Sequence, residues 1–358
     1  MASSEDFQSI YEFYKHKNVI IMLSLKQEIT VITKYRSAIM GIAILWIFLL
    51  HSGPCGIPFY DSVISFGWMG VDVFFFLSAF GLSYSLKKCQ SQLEFYKRRI
   101  IRIIPTWLLV LFLMHVLGVV VTMVMPKLPF HYPHDCIQAF LWYTGIGYWI
   151  NGFLENPLCC YYEWYIPTLL LFYLIAPFIY KKTTSKLYVL LILSTVISFL
   201  FSYFGFLYSL HLSYQRIPVF ILGFVVYRMV SGEVNKKQCV CVLSIMSILG
   251  FLFVLLSILF DGIYVKYVPL FFMFQVLIIL GQIMKVKKIN QLFSFLGIIS
   301  LEIYLLHLFR RPNFLISLLL QIDGILCIII TFILCVSIAF LFHKLCNNIN
   351  KGIDRCLK

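Results

Sequence analysis

Two side chains able to handle a proton stand at the ends of neighbouring apolar stretches: His51 closes one and Asp72 opens the next. The loop 52–66 joins the stretches, so they pack as antiparallel neighbours and can bring carboxylate to imidazole. A carboxylate so placed fixes the imidazole tautomer and stabilises the imidazolium, which a general base requires. The competing reading is local: Asp72 caps its helix and His51 sits at the interface. The spacing weighs the two evenly. Further on, SLEIYLLH (300–307) sets Ser300, Tyr304 and His307 at i, i+4 and i+7 on one helical face. Glu302 points about 200° away from Ser300. Such a stripe faces a wet cavity or forms a hydrogen-bonded seam between helices. The densest basic run, FYKRRIIRIIP, holds Arg98, Arg99 and Arg102. Arg99 and Arg102, three apart, can grip a phosphate-rich ligand bidentately. A topology signal touching anionic headgroups is the competing reading, and spacing alone favours it. His115, Glu163 and Asp323 complete the ionisable residues within or beside apolar stretches, each a functional candidate because burial in lipid is costly.

The elements that must position these groups are membrane helices. Of 358 residues, 61% are apolar and 12% charged, against about 45–50% and about 25% in soluble domains. Only a bilayer solvates so much apolar surface, and the expected fold is all-α, a polytopic membrane helix bundle. Run lengths place about ten spans near 37–51, 67–86, 103–125, 164–180, 187–207, 217–230, 239–260, 266–284, 292–309 and 322–343. Clusters of Lys and Arg then fall on one side, which makes both termini cytoplasmic; Arg310 and Arg311 are exceptions. Residues 1–36 read as a cytoplasmic segment, 37–343 as the transmembrane domain and 344–358 as a cytoplasmic tail. Glu5, Asp6 and Glu12, with only a short apolar run at 19–23, argue against a cleavable signal peptide.

Residues 136–150 are apolar and aromatic, but counting them as a span would invert every later basic cluster. The stretch 126–163 therefore reads as an external segment with an interfacial helix, its Trp and Tyr at headgroup depth. The net charge of +14 is accounted for by the clustered loop cations, which excludes nucleic acid as a partner. Among eleven cysteines, Cys241, Cys327 and Cys335 lie in apolar runs as small core residues. A disulfide linking Cys136, Cys159 or Cys160, or one of them with Cys55, is compatible with the external loop but unsupported by spacing. No metal-type cysteine spacing occurs, so neither a metal nor a bound cofactor is expected. The lack of an internal repeat weakens a transporter reading.

RSAIMGIAILWIFLLHSG (36–53), GWMGVDVFFFLSAFGLSYS (67–85), FYKRRIIRIIPTW (95–107), EWYIPTLLLFYLIAPF (163–178), RIPVFILGF (216–224) and SLEIYLLH (300–307) together resemble the acyltransferase-3 family of bacterial integral-membrane O-acyltransferases. The resemblance implies about ten helices, acyl-CoA as donor and a sugar hydroxyl of a surface glycan as acceptor. It makes His51 the essential histidine and Arg99 and Arg102 the arginine pair serving the donor. The family usually has a basic residue eleven positions before the histidine. Met40 stands there, and Arg36, a turn earlier, is the candidate substitute.

These readings combine into one expectation. The protein moves an acyl group, acetyl by preference, from acyl-CoA to a hydroxyl of a cell-envelope glycan or lipid-linked saccharide. His51 acts as base with Asp72 orienting it. Arg98, Arg99, Arg102 and Arg36 hold the donor, and Tyr304 steadies the oxyanion. Glu163, Trp164, Ser300, Tyr304 and His307 line the acceptor side or cavity. Membrane lipids are the remaining partner, and the bacterial inner membrane is the expected location. The alternatives are a transporter or flippase for a lipid-linked glycan and an inactive scaffold. One tension stands: the arginines are inner and His51 outer, across a hydrocarbon core of about 30 Å.

Overall fold

The structure, a computed structural model, describes residues 30–125, 132–154, 163–260, 262–307 and 324–356, and every regular element among them is helical. In chain order these are α1 (Arg36–Ser52), α2 (Pro58–Ser65), α3 (Met69–Lys88), α4 (Gln92–Val124), α5 (Cys136–Thr144), α6 (Ile146–Gly152), α7 (Tyr165–Tyr180) and α8 (Thr184–Phe204). They continue with α9 (His211–Tyr214), α10 (Ile217–Val230), α11 (Lys236–Leu259), α12 (Val268–Ile283), α13 (Lys287–Ile298), α14 (Ser300–His307) and α15 (Gly324–Cys356). Among the described residues seven helical segments are long and apolar enough to cross a membrane, or up to eight with α13 and α14 counted as one bent span. The apolar helices α1 and α7 are shorter.

Burial separates the centre from the periphery. The most apolar windows of Pro58–Lys88 and Tyr208–Val230 are 67% and 72% buried, those of α8 and Lys237–Leu259 only 11% and 17%. Val189, Ile192, Val196 and Leu200 on α8 and Ile248, Leu252 and Leu255 on α11 are exposed. Such faces are stable only in hydrocarbon.

Glycines set the central crossings. A Cβ on Gly41 of α1 would stand 1.9 Å from the Phe293 carbonyl oxygen, and one on Gly297 of α13 would stand 1.8 Å from that of Ser37. The two backbones therefore touch, and Ser37 Oγ donates to Ser294 O at 3.1 Å beside the crossing. Close approach through small residues is the usual basis of helix association in lipid. Gly70 brings α3 against Ala43 of α1, and Gly223 brings α10 against Phe76 and Ala79 of α3.

Four expected segments differ in form. The helix expected at 103–125 begins at Gln92, where Ser91 Oγ accepts from Glu94 N at 3.1 Å as an N-cap. The arginine cluster thus rides on the helix itself. The expected span 292–309 bends by 62° between α13 and α14; Gly297 and Ser300 flank the break, a pairing that commonly permits a kink. The helix of the last span runs on to Cys356, so the stretch expected to be a tail from 344 begins as a continuation of the bundle. The 136–150 stretch forms α5 and α6, neither long enough to cross, hinged at Gly145 with φ +72°. Arg310, Arg311, Asp323, Cys159 and Cys160 lie outside the described residues. Cys55 and Cys136 are free thiols.

Candidate active site

His51 sits in the last turn of α1, exposed, with Nδ1 2.9 Å from Ile47 O and 3.3 Å from His307 Nε2. A carbonyl oxygen only accepts, so Nδ1 of His51 carries the proton and shares it between these two acceptors. His307 Nδ1 faces the carbonyl of Tyr304, which fixes its proton in the same way and leaves its Nε2 as the lone pair turned to His51. The rings meet edge to face with centroids 4.6 Å apart. His307 is neutral in this arrangement, because its Nε2 accepts from His51. A neutral His51 carries its lone pair on Nε2, and His307 stands ready to support the Nδ1 proton once His51 gains a second one. That is the form a general base needs, oriented by a carbonyl and a second imidazole rather than by a carboxylate.

Aromatic rings continue away from His51. Tyr304 lies 5.1 Å from His307, and Tyr165 lies 4.6 Å from Tyr304, centroid to centroid. Beyond Tyr304 and Tyr165 opens a cavity of about 290 Å³ between α1, α3, α4, α7, the bend and α15. Arg36, Arg99 and Arg102 line it from one set of helices; Ser300, Glu302 and His343 line it from the other. His51 and His307 are not among its lining residues, so one aromatic layer divides the cavity from the histidines.

Helix geometry explains which arginines reach the cavity. Successive residues on α4 turn by about 100°, so Arg102 lies about 60° from Arg99, and Arg98 lies about 40° further round and a turn before Arg102, at the edge of the face that carries Arg99, Ile103 and Thr106 into the cavity. Arg98 is exposed and paired with Glu94, one turn back, which corrects its expected place at the donor site. Arg36, the first residue of α1, crosses α3 at Gly81 and donates from Nη2 to Leu77 O at 3.2 Å. A Cβ at position 81 would stand 3.2 Å from the guanidinium carbon, so glycine makes the room. Met40, one turn on, lines the same cavity, so Arg36 brings a charge to the space that the Met40 position faces.

Asp72 is not the partner of His51. Its Oδ1 lies 3.3 Å from Nε of Arg216 in a buried ion pair, and the guanidinium lies over Trp68 at 5.8 Å and Trp164 at 5.5 Å. The reason is helical phase. Gly70 is the residue of α3 pressed on α1, and Asp72 is turned from it by about 200°, towards α10. Arg216 was missed by sequence reasoning, although a lone arginine opening an apolar stretch on the expected outer side was a signal. Glu163 is also occupied: both its oxygens accept from the first backbone N–H groups of α7, Tyr165 N and Ile166 N. It caps the helix instead of offering itself to a sugar. His115 Nδ1 meets Tyr143 Oη at 3.1 Å, away from the cavity. Glu302, expected to point away from Ser300, lines the same cavity, because the bend exposes the whole first turn of α14 to it. Trp164 covers Arg216, while Ser300 and Tyr304 keep their expected place on the cavity.

The family model for the acyltransferase domain matches residues 38–344, which takes in both histidines, Arg99, Arg102 and the bend. The chain belongs to the acyltransferase-3 family. No curated protein and no solved structure matches it. As an acyltransferase-3 protein it is an integral membrane acyltransferase, in agreement with its apolar helices. Among the described residues no group of three His, Cys, Asp or Glu side chains is placed to hold a metal.

Proposed function

We propose that this acyltransferase moves an acyl group, acetyl by preference, from acyl-CoA to a hydroxyl of a cell-envelope glycan, with His51 as general base. The observation that carries the reading is the His51–His307 pair, with His51 Nδ1 held by Ile47 O and His307, one layer of rings away from a cavity lined by three arginines. The donor phosphates bind toward Arg99, Arg102 and Arg36, and the pantetheine arm runs through the cavity towards Tyr304. The acceptor hydroxyl meets His51 Nε2 and loses its proton there as its oxygen attacks the acyl carbon. The carbon–sulfur bond then breaks, the thiolate leaves and takes up a proton from water, and His51 releases the proton that it removed from the hydroxyl, which restores the base. The Tyr304 side chain must yield for the thioester to reach His51.

The distance involved is modest. Fifteen residues of α1 separate Arg36 from His51, about 22 Å along the helix axis, less than the full hydrocarbon core. A short first helix thus supports a direct transfer along an extended arm without a covalent carrier. The basic clusters support cytoplasmic termini and a donor mouth on the cytoplasmic side, in the inner membrane of a bacterium.

The decisive experiment compares the envelope glycan by mass spectrometry in cells carrying wild-type protein or His51→Ala. One acyl mass lost per repeat, with surface glycan still made, is the expected result. Loss of the surface glycan itself points to a flippase and overturns the reading. Transfer from acetyl-CoA by the purified protein tests the donor separately and excludes an inactive scaffold.

A further inference from the structure

The cavity is not lined by cations alone. Glu302 is buried at 4% exposure. Its Oε1 accepts from His343 Nδ1 at 2.9 Å, and His343 Nε2 meets Asn347 Nδ2 at 2.9 Å. Its Oε2 is buried and has no hydrogen-bond partner among the described residues, and Glu302 is one of the residues that line the cavity. Nearby on the same wall Asn350 Oδ1 is likewise buried without a partner. On the side formed by α1 and α4, Nε of Arg36 and Nε of Arg99 are buried donors without acceptors among the described residues. None of the three arginines forms an ion pair with Glu302 among the described residues.

Buried polar atoms are nearly always paired, and an unmet one in a cavity marks where a ligand atom belongs. The two walls make opposite demands. The arginine wall needs anionic or carbonyl oxygens; the Glu302 wall needs N–H or O–H donors. A simple phosphate or a fatty acid meets only the first demand. A phosphorylated donor whose arm carries secondary amides meets both.

We infer that Glu302 is a positioning residue for the acyl donor, its free Oε2 accepting an amide N–H of the pantetheine arm while His343 and Asn347 hold the carboxylate in place. This rests on the acyl-CoA reading above. The sequence pattern turned Glu302 away from the stripe, and only the bend before Ser300 brings it to the cavity.

The test measures binding of acetyl-CoA, and of two analogues in which one or the other pantetheine amide N–H is replaced by an ester oxygen, to detergent-solubilised full-length protein. A hydrogen bond to a charged acceptor predicts that one analogue binds wild type about 10- to 100-fold more weakly than acetyl-CoA. Glu302→Leu, which has no acceptor at either oxygen position, is expected to bind acetyl-CoA more weakly and to treat amide and ester alike. A merely structural role for Glu302 would lower thermal stability and leave that amide-to-ester ratio untouched. Should E302L fail to fold, E302D withdraws the oxygen by one methylene and is expected to lose most of the discrimination. Equal binding of acetyl-CoA and both esters by wild type, or discrimination retained in the variant, overturns the assignment of Glu302 alone. Failure of wild type to bind acetyl-CoA at all overturns the donor reading beneath it.

Discussion

The arginine-lined cavity and the histidine pair are separated by one layer of tyrosines and are built on different principles. The cavity collects charge: three guanidiniums and a carboxylate face a common space, several of their polar atoms unmet. The histidine pair holds no resident charge. Its two imidazoles are set in register by carbonyl oxygens of their own helices, so that one ring nitrogen is left free. The first arrangement suits binding a multiply charged donor, whose affinity comes from charge-assisted bonds. The second suits proton transfer, where the protonation state at one atom matters more than affinity. Tyr304 and Tyr165 stand between them, so a ligand in the cavity meets the histidines only when those rings move.

That contrast makes separable predictions. The largest effect belongs to the histidine end: His51→Ala lowers kcat by about 10²- to 10⁴-fold, the usual worth of a positioned base. The KM for acetyl-CoA stays near wild type in steady-state transfer assays; a large rise in KM would merge the two regions into one. At the cavity, Arg99→Ala or Arg102→Ala raises that KM by about 10- to 100-fold while kcat changes less. Arg98→Ala, off the cavity and paired at the surface, shifts it by less than about fivefold.

A smaller effect tests the support behind the base. His307→Phe keeps a ring against His51 but removes the acceptor for its Nδ1 proton. It is expected to lower kcat by about 10- to 100-fold, the worth of one hydrogen bond from a charged imidazolium. A loss as large as that of His51→Ala would make His307 a second base. The smallest effect lies outside both regions. Burial pushes the Glu163 carboxyl from 4.5 up to about 8, while its bonds from Ile166 N and Tyr165 N pull it back. The folded state therefore holds a proton that the unfolded chain releases across this interval, and stability falls as pH rises through it. Melting of the solubilised protein should show that slope, and Glu163→Gln should flatten it.

Much of this was legible in the residues, because period and hydropathy are local properties. Nine of the ten expected spans each overlap one helix and the other falls on the bent pair α13 and α14, while the non-spanning reading of 136–150 agrees with the short α5 and α6. The stripe of Ser300, Tyr304 and His307 was visible from spacing, and so was the Arg99 and Arg102 pair. Pairings between helices were not legible. Asp72 and His51 are neighbours by topology, yet the phase of α3 sends Asp72 to Arg216, a choice made by which face carries Gly70. Arg98 and Arg99 are adjacent in the chain but a helix continuous from Gln92 points them to different surroundings.

The sequence by itself determined that the chain lives in a bilayer, where its helices run and which ionisable residues they carry, since each follows from side-chain chemistry read along one dimension. The tertiary structure decided that His307, rather than Asp72, stands behind His51, and that Glu302 shares a chamber with the arginines. Those outcomes depend on helix rotation and on a bend, set where glycine backbones touch, and no periodicity along a single helix encodes the face its neighbour will present.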